Sequence, residues 1–160
     1  MPFQFHALAY SQFEPLFSMS DGDLEKVRAT KMVADGKPGY PCRVSLTEAD
    51  IGETVILINY VHQPANTPFQ SSHAIYVREN AEQAVPGIGI VPEMFINRLI
   101  SIRAFNNRHY IVNADVIDGS RLRYIIPTIF QDLKVTYLHL HNAKLGCFLA
   151  QVTRAPNNNI

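Results

Sequence analysis

The chain has 160 residues, the length of one ordinary domain, and 47% of them are apolar, as in most globular proteins. Its 14 basic residues balance 14 acidic ones, which argues against a nucleic-acid partner because proteins that bind phosphate backbones usually carry a basic excess. No stretch reaches the ~18 apolar residues of a membrane-spanning helix, so we expect no membrane partner either.

The N-terminal segment does not resemble an export signal. It lacks the basic start and the long apolar run of a secretory signal peptide, which predicts a cytoplasmic protein. In that compartment Cys42 and Cys147 are expected as reduced thiols rather than as a disulfide. Further along, Ser20 is a candidate N-cap for a short helix with the sequence DLEKVRA.

Most of the remaining chain has the composition of β-strands. Residues 54–60 are apolar on both faces, as in a central strand that is covered on both sides. Other segments combine β-branched and aromatic residues with flanking turn residues. The segments predicted as strands are 41–46, 54–60, 73–79, 99–105, 110–117, 135–141 and 147–153.

One longer helix is predicted after the fifth of these strands. Six apolar residues share one stripe at helical spacing: Leu122, Ile125, Ile126, Ile129, Phe130 and Leu133. Asp118 and Ser120 are its candidate caps, and Pro127 predicts a kink or a restart.

These elements indicate an α+β fold, with a mainly antiparallel sheet, one main helix and two or three short helices. We expect a single domain over residues 1–154 and a disordered tail over residues 155–160. The period of the strands leaves open whether the sheet stays flat or closes into a barrel.

The stretch YLHLHNAKLGCF, residues 137–148, predicts a hairpin rich in reactive side chains. Side chains alternate along a strand, so His139 and His141 share one face. Residues 142–146 form the predicted turn, with Gly146 able to take a positive φ. A symmetric turn would place His141 opposite Cys147 and His139 opposite Leu149.

A metal site is one interpretation of this hairpin. His139 and His141 present two nitrogens to one ion, and Cys147 is a candidate third ligand. Zinc accepts nitrogen and sulfur ligands in a tetrahedral arrangement, and three protein ligands leave a place for water. Cys42 as a fourth ligand would make the site structural instead.

Two other interpretations remain open. Cys147 is a candidate nucleophile, with His141 as its base and Asn142 orienting that base. In the simplest interpretation both histidines are hydrogen-bonded sheet residues and Cys147 is a small core residue.

Weaker signals suggest a site for an anionic ligand. Arg43 suits a carboxylate or phosphate, but an exposed strand arginine is the favoured interpretation. Ser71 and Ser72 precede a strand and are candidate donors to an anion, although such serines usually form turns.

Three stretches of the chain, residues 33–46, 67–79 and 137–155, occur in a familiar order together with the motifs IRAFN and NADVIDG. In this combination the chain resembles the bacterial domain-of-unknown-function family numbered twelve hundred and three. The resemblance covers nearly the whole chain. It implies no activity, because none is established for that family.

The sequence therefore predicts one of two kinds of function. The first is a small cytoplasmic enzyme, or a protein that binds a small ligand or a metal, with a Cys/His site on the C-terminal hairpin. The second is a non-catalytic interaction or structural domain, in which the same residues only stabilise the hairpin.

Overall fold

The computed structural model describes residues 1–156, which form an α+β fold. Eight strands in this part of the chain make two antiparallel sheets, and one helix of eight residues is accompanied by shorter helical segments. This arrangement confirms the predicted fold class. Neither sheet closes into a barrel. No helix within residues 1–156 has both the length and the apolar character to cross a membrane.

The elements follow one another in a simple order. The strands are β1 (Phe3–His6), β2 (Ala29–Val33), β3 (Thr54–Gln63), β4 (Ser71–Arg78), β5 (Leu99–Phe105), β6 (Ile111–Asp118), β7 (Tyr137–Asn142) and β8 (Phe148–Arg154). The α-helices are α1 (Asp21–Lys26), α2 (Glu93–Ile96) and α3 (Leu122–Ile129). Short 3-10 segments occupy Tyr10–Gln12, Glu14–Ser18 and Gly119–Arg121. Ser20 caps α1 as predicted, since its side chain accepts from the Asp23 N–H. Asp118 caps the 3-10 segment before α3 by accepting from the Ser120 N–H, whereas α3 itself has no side-chain cap.

The larger sheet has the strand order β1-β8-β7-β5-β6. One face of it carries the main hydrophobic core, which β5, β7 and β8 share with α2 and α3. Along β7, Leu138 and Leu140 point into this core. Strand alternation therefore turns Tyr137, His139 and His141 to the opposite face of the sheet. We call this opposite face the histidine face.

The smaller sheet has the strand order β2-β3-β4. It shares a second core with α1 and the first two 3-10 segments, and Phe13, Leu24, Ile56 and Ile75 are among the buried side chains. The C-terminal end of β3 reaches the histidine face of the larger sheet, because the Tyr60 and His62 rings both lie against Phe148 of β8. The two sheets therefore meet at this point.

Two details of the predicted fold are wrong. Residues 41–46 are not a strand; the Leu46 N–H donates to the Cys42 carbonyl at 3.0 Å, so this buried segment turns back on itself. The alternation of polar and apolar residues in its sequence imitates that of a strand, although residues 41–44 are all buried. The helix ends at Ile129, so Leu133 lies beyond it and is 83% exposed rather than in the core.

Only residues 155 and 156 of the predicted tail belong to the part of the chain that the structure describes. Ala155 is buried, and its N–H donates to the Pro2 carbonyl at 3.0 Å, which extends the pairing of β1 with β8. Residues 157–160, the rest of the predicted tail, lie outside the described residues.

Candidate functional site

Three buried histidines converge where the two sheets meet. His139 and His141 lie on β7, and His62 reaches them from the end of β3. One nitrogen from each of the three rings lies within 4.8 Å of the others. We call this group the histidine cluster, and within residues 1–156 it is the group of side chains placed to hold a metal ion.

A break in the regular pairing of β3 with β4 places His62 in the cluster. The register shifts between Tyr60 and Gln63, so alternation fails and two successive residues, His62 and Gln63, are both buried. Val61 before them is half exposed. An irregularity of this kind re-aims side chains relative to the rest of the strand. The strand predicted from sequence stops at Tyr60, so sequence analysis did not include His62.

Each ring of β7 has one nitrogen engaged and one without a partner. Nδ1 of His141 lies 2.8 Å from the Gly146 carbonyl oxygen, which only accepts, so Nδ1 carries the proton and Nε2 keeps its lone pair. Nε2 of His139 lies 3.3 Å from Gln151 Oε1, which assigns the lone pair to Nδ1 in the same way. The fully buried side-chain nitrogens without a hydrogen-bond partner, counting only residues 1–156, are His62 Nδ1, His139 Nδ1 and His141 Nε2.

The rings are held in the neutral form. Burial lowers the pKa of His62 and of His139 to about 4 and that of His141 to about 3. The Arg103 charge lowers all three values further. A neutral imidazole is the form that binds metals, and a buried nitrogen without a partner is destabilising by about 1–3 kcal/mol. Each ring of the cluster therefore has a buried nitrogen that an ion would satisfy, and in His139 and His141 that nitrogen carries the lone pair.

Aromatic rings enclose the cluster. Phe148 stacks on His62 with ring centroids 5.4 Å apart and an interplanar angle of 2°. The edge of the same ring contacts His139 and His141, with centroids 5.1 and 5.8 Å apart. On the other side, Tyr137 lies 5.1 Å from His139, and its hydroxyl accepts from Gln63 Nε2 at 2.8 Å. Most of the surroundings are therefore apolar, with a polar contact at one end.

The C-terminal hairpin forms as predicted, but its register is different. β7 and β8 are antiparallel neighbours, and Gly146 in the turn has a φ of +84°. His139 pairs with Gln151 rather than Leu149, and His141 pairs with Phe148 rather than Cys147. The register shifts between Leu140 and His141, and this bulge puts Phe148 on the histidine face while Leu149 enters the main core.

Cys147 lies outside the histidine cluster. Its carbonyl accepts from the Asn142 N–H at 2.8 Å, and its sulfur lies beside the Arg43 guanidinium. Asn142 does not orient His141; its Oδ1 accepts from the Lys144 N–H at 3.2 Å, and Gly146 orients the ring instead. The structure thus brings together two of the three predicted metal ligands, and it places the candidate nucleophile beside an arginine.

Arg43 is a structural brace rather than an exposed strand residue. It is only 1% exposed, and its Nε donates to the Phe148 carbonyl at 2.7 Å. Its Nη1 also donates to the Pro41 carbonyl. Burial lowers the pKa of Arg43, and the Cys147 sulfur beside it opposes that change. Arg43 therefore ties the 41–46 segment to the bulge that presents Phe148 to the histidines.

The two serines predicted to bind a ligand lie at the start of β4. The Ser71 hydroxyl donates to the Phe69 carbonyl at 3.1 Å, and Ser71 pairs with Gln63 across the sheet. Ser72 is exposed. The Ser71 hydroxyl thus makes a local turn contact, while its backbone supports the segment that carries His62.

A cleft of about 1090 Å³ opens beside the turn of the hairpin. Its lining includes Lys37, Glu48, Arg98, Asn142 and Lys144, and we call it the Arg98 cleft. Arg98 and Glu48 form an ion pair in which both side chains are largely buried. The charges in the cleft thus partly neutralise one another, so the histidine cluster is the stronger candidate for chemistry.

Comparisons with known proteins give a family but no characterised relative. No curated protein and no solved structure matches the chain. A family model described as a protein of unknown function, DUF1203, matches residues 39–154, a range that includes all three histidines of the cluster. This match confirms the resemblance noted from the sequence, and the chain belongs to the DUF1203 family.

Proposed function

We propose that this protein is a metalloprotein that binds one divalent first-row transition metal, zinc in the first instance, through His62, His139 and His141. Two observations on the same three rings carry this proposal: one nitrogen of each lies within 4.8 Å of the others, and each ring has a buried nitrogen without a hydrogen-bond partner in the described part of the chain. Two nitrogens bound to one tetrahedral zinc lie about 3.3 Å apart, from bond lengths of ~2.0–2.1 Å. Nitrogens within 4.8 Å of one another reach that spacing with small ring movements.

The contacts behind the rings support the same assignment. Histidines that bind metals usually donate their second N–H to a carbonyl or a carboxylate, which fixes the tautomer and the ring orientation. Gly146 performs this role for His141, and Gln151 performs it for His139. Both contacts leave the remaining nitrogen with its lone pair, as ligation requires.

Three protein ligands leave a coordination position for water or for a substrate. A bound zinc ion lowers the pKa of such a water and polarises an oxygen atom of a substrate. This chemistry supports a small enzyme or a ligand-binding protein rather than a structural zinc site. Cys42 and Cys147 are both free thiols, which suits a reducing compartment such as the bacterial cytoplasm.

The competing function is a structural domain in which the histidines serve only as aromatic packing residues. The observation in its favour is the stacking of His62 on Phe148 and the edge contacts of the other two rings. Packing alone leaves three buried nitrogens without partners, each destabilising by about 1–3 kcal/mol. A metal ion removes that penalty, so we favour the metal site.

The test is metal binding by protein purified without a polyhistidine tag. Elemental analysis and calorimetric titration of the metal-free protein should give one zinc ion per chain. His62→Gln, His139→Gln and His141→Gln should each weaken zinc binding by about 100-fold or more, beyond the 10–100-fold typical of a contact behind the ligands. His6→Gln is the matched control, because His6 lies on β1 and bonds to Thr153.

The proposal is overturned if the metal-free protein takes up neither zinc nor cobalt, nickel or copper. It is equally overturned if zinc binds and the three cluster variants bind it as tightly as His6→Gln does. Circular dichroism of each variant shows whether a loss of binding reflects a loss of folding.

A further inference from the structure

Arg103 lies on the histidine face next to the cluster. It occupies the middle of β5, where it pairs directly with His139 of β7. Phe105, two residues further along β5, stacks on Tyr137 with ring centroids 5.1 Å apart and also contacts His139. Residues two apart on a strand share a face, so Arg103 and Phe105 both project toward the histidines.

The charge of Arg103 is not neutralised within residues 1–156. Arg78 pairs with Glu53, and Arg98 pairs with Glu48. Arg103 takes part in none of the ion pairs found in this part of the chain, although it is half-buried and burial lowers its pKa. A partly desolvated guanidinium without a carboxylate is an unusual arrangement, because it gives up hydration without gaining a counter-charge.

The histidine cluster also lacks negative charge. All three candidate ligands are neutral imidazoles, and the group contains no carboxylate or thiol. The charged groups whose fields reach the three rings are Arg103 and other histidines. A divalent ion in this site, next to Arg103, would concentrate three positive charges in a largely apolar environment. An anion in the open coordination position would offset part of this charge.

We infer that the metal site takes a small oxyanion, of the carboxylate or carbonate class, that bridges the metal and the Arg103 guanidinium. This inference rests on the proposed metal site and names the class of ligand or substrate for it. A guanidinium offers two parallel N–H donors, so two oxygens of a carbonate can accept from Arg103 while its third oxygen coordinates the metal. In a carboxylate, one oxygen would accept from Arg103 and the other would coordinate the metal. Arg103 is then the residue that selects and positions the anion.

The inference is tested on the cobalt-substituted protein, whose visible spectrum reports changes in coordination. Acetate and bicarbonate are titrated as separate probes, and inorganic phosphate is the larger oxyanion for comparison. Wild-type protein should show a saturable spectral change with acetate or bicarbonate. Arg103→Met should weaken that binding by about tenfold or more, because a charge-assisted contact is lost. Arg103→Lys should restore part of it.

Cobalt binding by the same variants shows whether Arg103 positions the anion or only supports the structure of the metal site. Cobalt affinity in Arg103→Met should equal or exceed that of wild type, because a repelling charge has been removed. Arg123→Met is the control, because Arg123 is exposed on α3 and contacts Tyr124. It should change neither affinity.

Each failure has a distinct meaning. Absence of cobalt and zinc binding in wild-type protein overturns the proposed metal site, and this inference with it. Metal binding without a response to acetate or bicarbonate overturns only the inference, and a response to phosphate alone does so as well. Equal anion affinity in wild type and Arg103→Met does the same.

Discussion

Polar side chains are concentrated in two regions of this molecule. The two regions differ in whether those side chains have hydrogen-bond or ion-pair partners. In and around the Arg98 cleft, Arg98 pairs with Glu48, and Arg43 donates to two backbone carbonyls. In the histidine cluster, each ring keeps one buried nitrogen without a partner within residues 1–156. The cleft is the larger feature, with a volume of about 1090 Å³. Unmet hydrogen-bonding capacity points to a ligand more directly than cleft size does, because each buried unsatisfied group needs a physical reason to persist.

Two arginines in these regions also differ in what their charged groups contact. Arg43 is fully buried and fixes backbone, whereas Arg103 is half-buried and makes no ion pair in the described residues. The first should matter for folding and the second for anion binding. The predictions below test this division between satisfied and unsatisfied groups.

The largest expected effect is on stability, at Arg43. Arg43→Met removes the hydrogen bonds that Arg43 donates to the Phe148 and Pro41 carbonyls. Hydrogen bonds from charged groups contribute about 1.5–3 kcal/mol each, so we expect the free energy of unfolding to fall by about 3 kcal/mol or more. Urea unfolding of the metal-free protein measures this, with Arg123→Met as the control. A loss below about 1 kcal/mol would mean that Arg43 is not a brace.

A smaller effect is expected from zinc itself. Zinc at 100 times its dissociation constant should raise the free energy of unfolding by about 2.7 kcal/mol, because it binds the folded chain preferentially. Thermal unfolding with and without zinc measures the gain. His62→Gln should abolish it, whereas Glu48→Gln in the Arg98 cleft should leave it intact. An equal gain in both variants would place the ion outside the histidine cluster.

Acid should destabilise the metal-free protein through the same three histidines. The folded-state pKa is about 4 for His62 and for His139 and about 3 for His141, whereas an unfolded histidine titrates near 6.5. Between these values the unfolded chain binds more protons than the folded chain. Stability therefore rises with pH across this window and is lost as pH falls from about 6.5 toward 4.

Urea unfolding at pH 7, 6 and 5 measures this dependence. In the variant with glutamine at all three cluster positions, the free energy of unfolding should lose most of its dependence on pH. The other histidines are present in both proteins and therefore do not contribute to the difference. The lowered carboxyl pKa values of Asp50, Glu53 and Asp118 add slope only below about pH 5. Parallel slopes for wild type and the triple variant would show that the cluster histidines do not titrate on unfolding.

Much of the fold was predictable because local rules govern it. Ser20 caps α1 as predicted, Asp118 caps the 3-10 segment that leads into α3, and the hairpin from β7 to β8 forms around Gly146. Alternation along β7 correctly placed His139 and His141 on one face. Each of these features depends on residues that are close in sequence, so composition and spacing carry the information.

The other features of the site depend on breaks in regular strand pairing, which the spacing of residues in the sequence does not reveal. His62 joins the cluster only because β3 loses its regular register after Tyr60. A bulge at His141 replaces Cys147 by Phe148 as its neighbour, so the assumption of a symmetric turn gave the wrong partner. Arg103 was recognisable only once β5 was known to pair with β7, because sequence alone does not give that neighbour.

The smallest effect on zinc binding is expected at Cys147, which the sequence suggested as a metal ligand or a nucleophile. Cys147→Ser should leave zinc affinity within about twofold of wild type, since the sulfur lies beside Arg43 and the group placed to hold a metal consists of three histidines. Its stability should fall by about 1 kcal/mol, the typical effect of one change at a buried position. Calorimetric zinc titration, together with urea unfolding, measures both quantities. A tenfold or greater loss of zinc affinity in a folded Cys147→Ser protein would make the thiol a ligand after all. The bulge at His141 would then have to rearrange when the metal binds. A structure of the zinc-bound protein would in that case show Cys147 paired with His141.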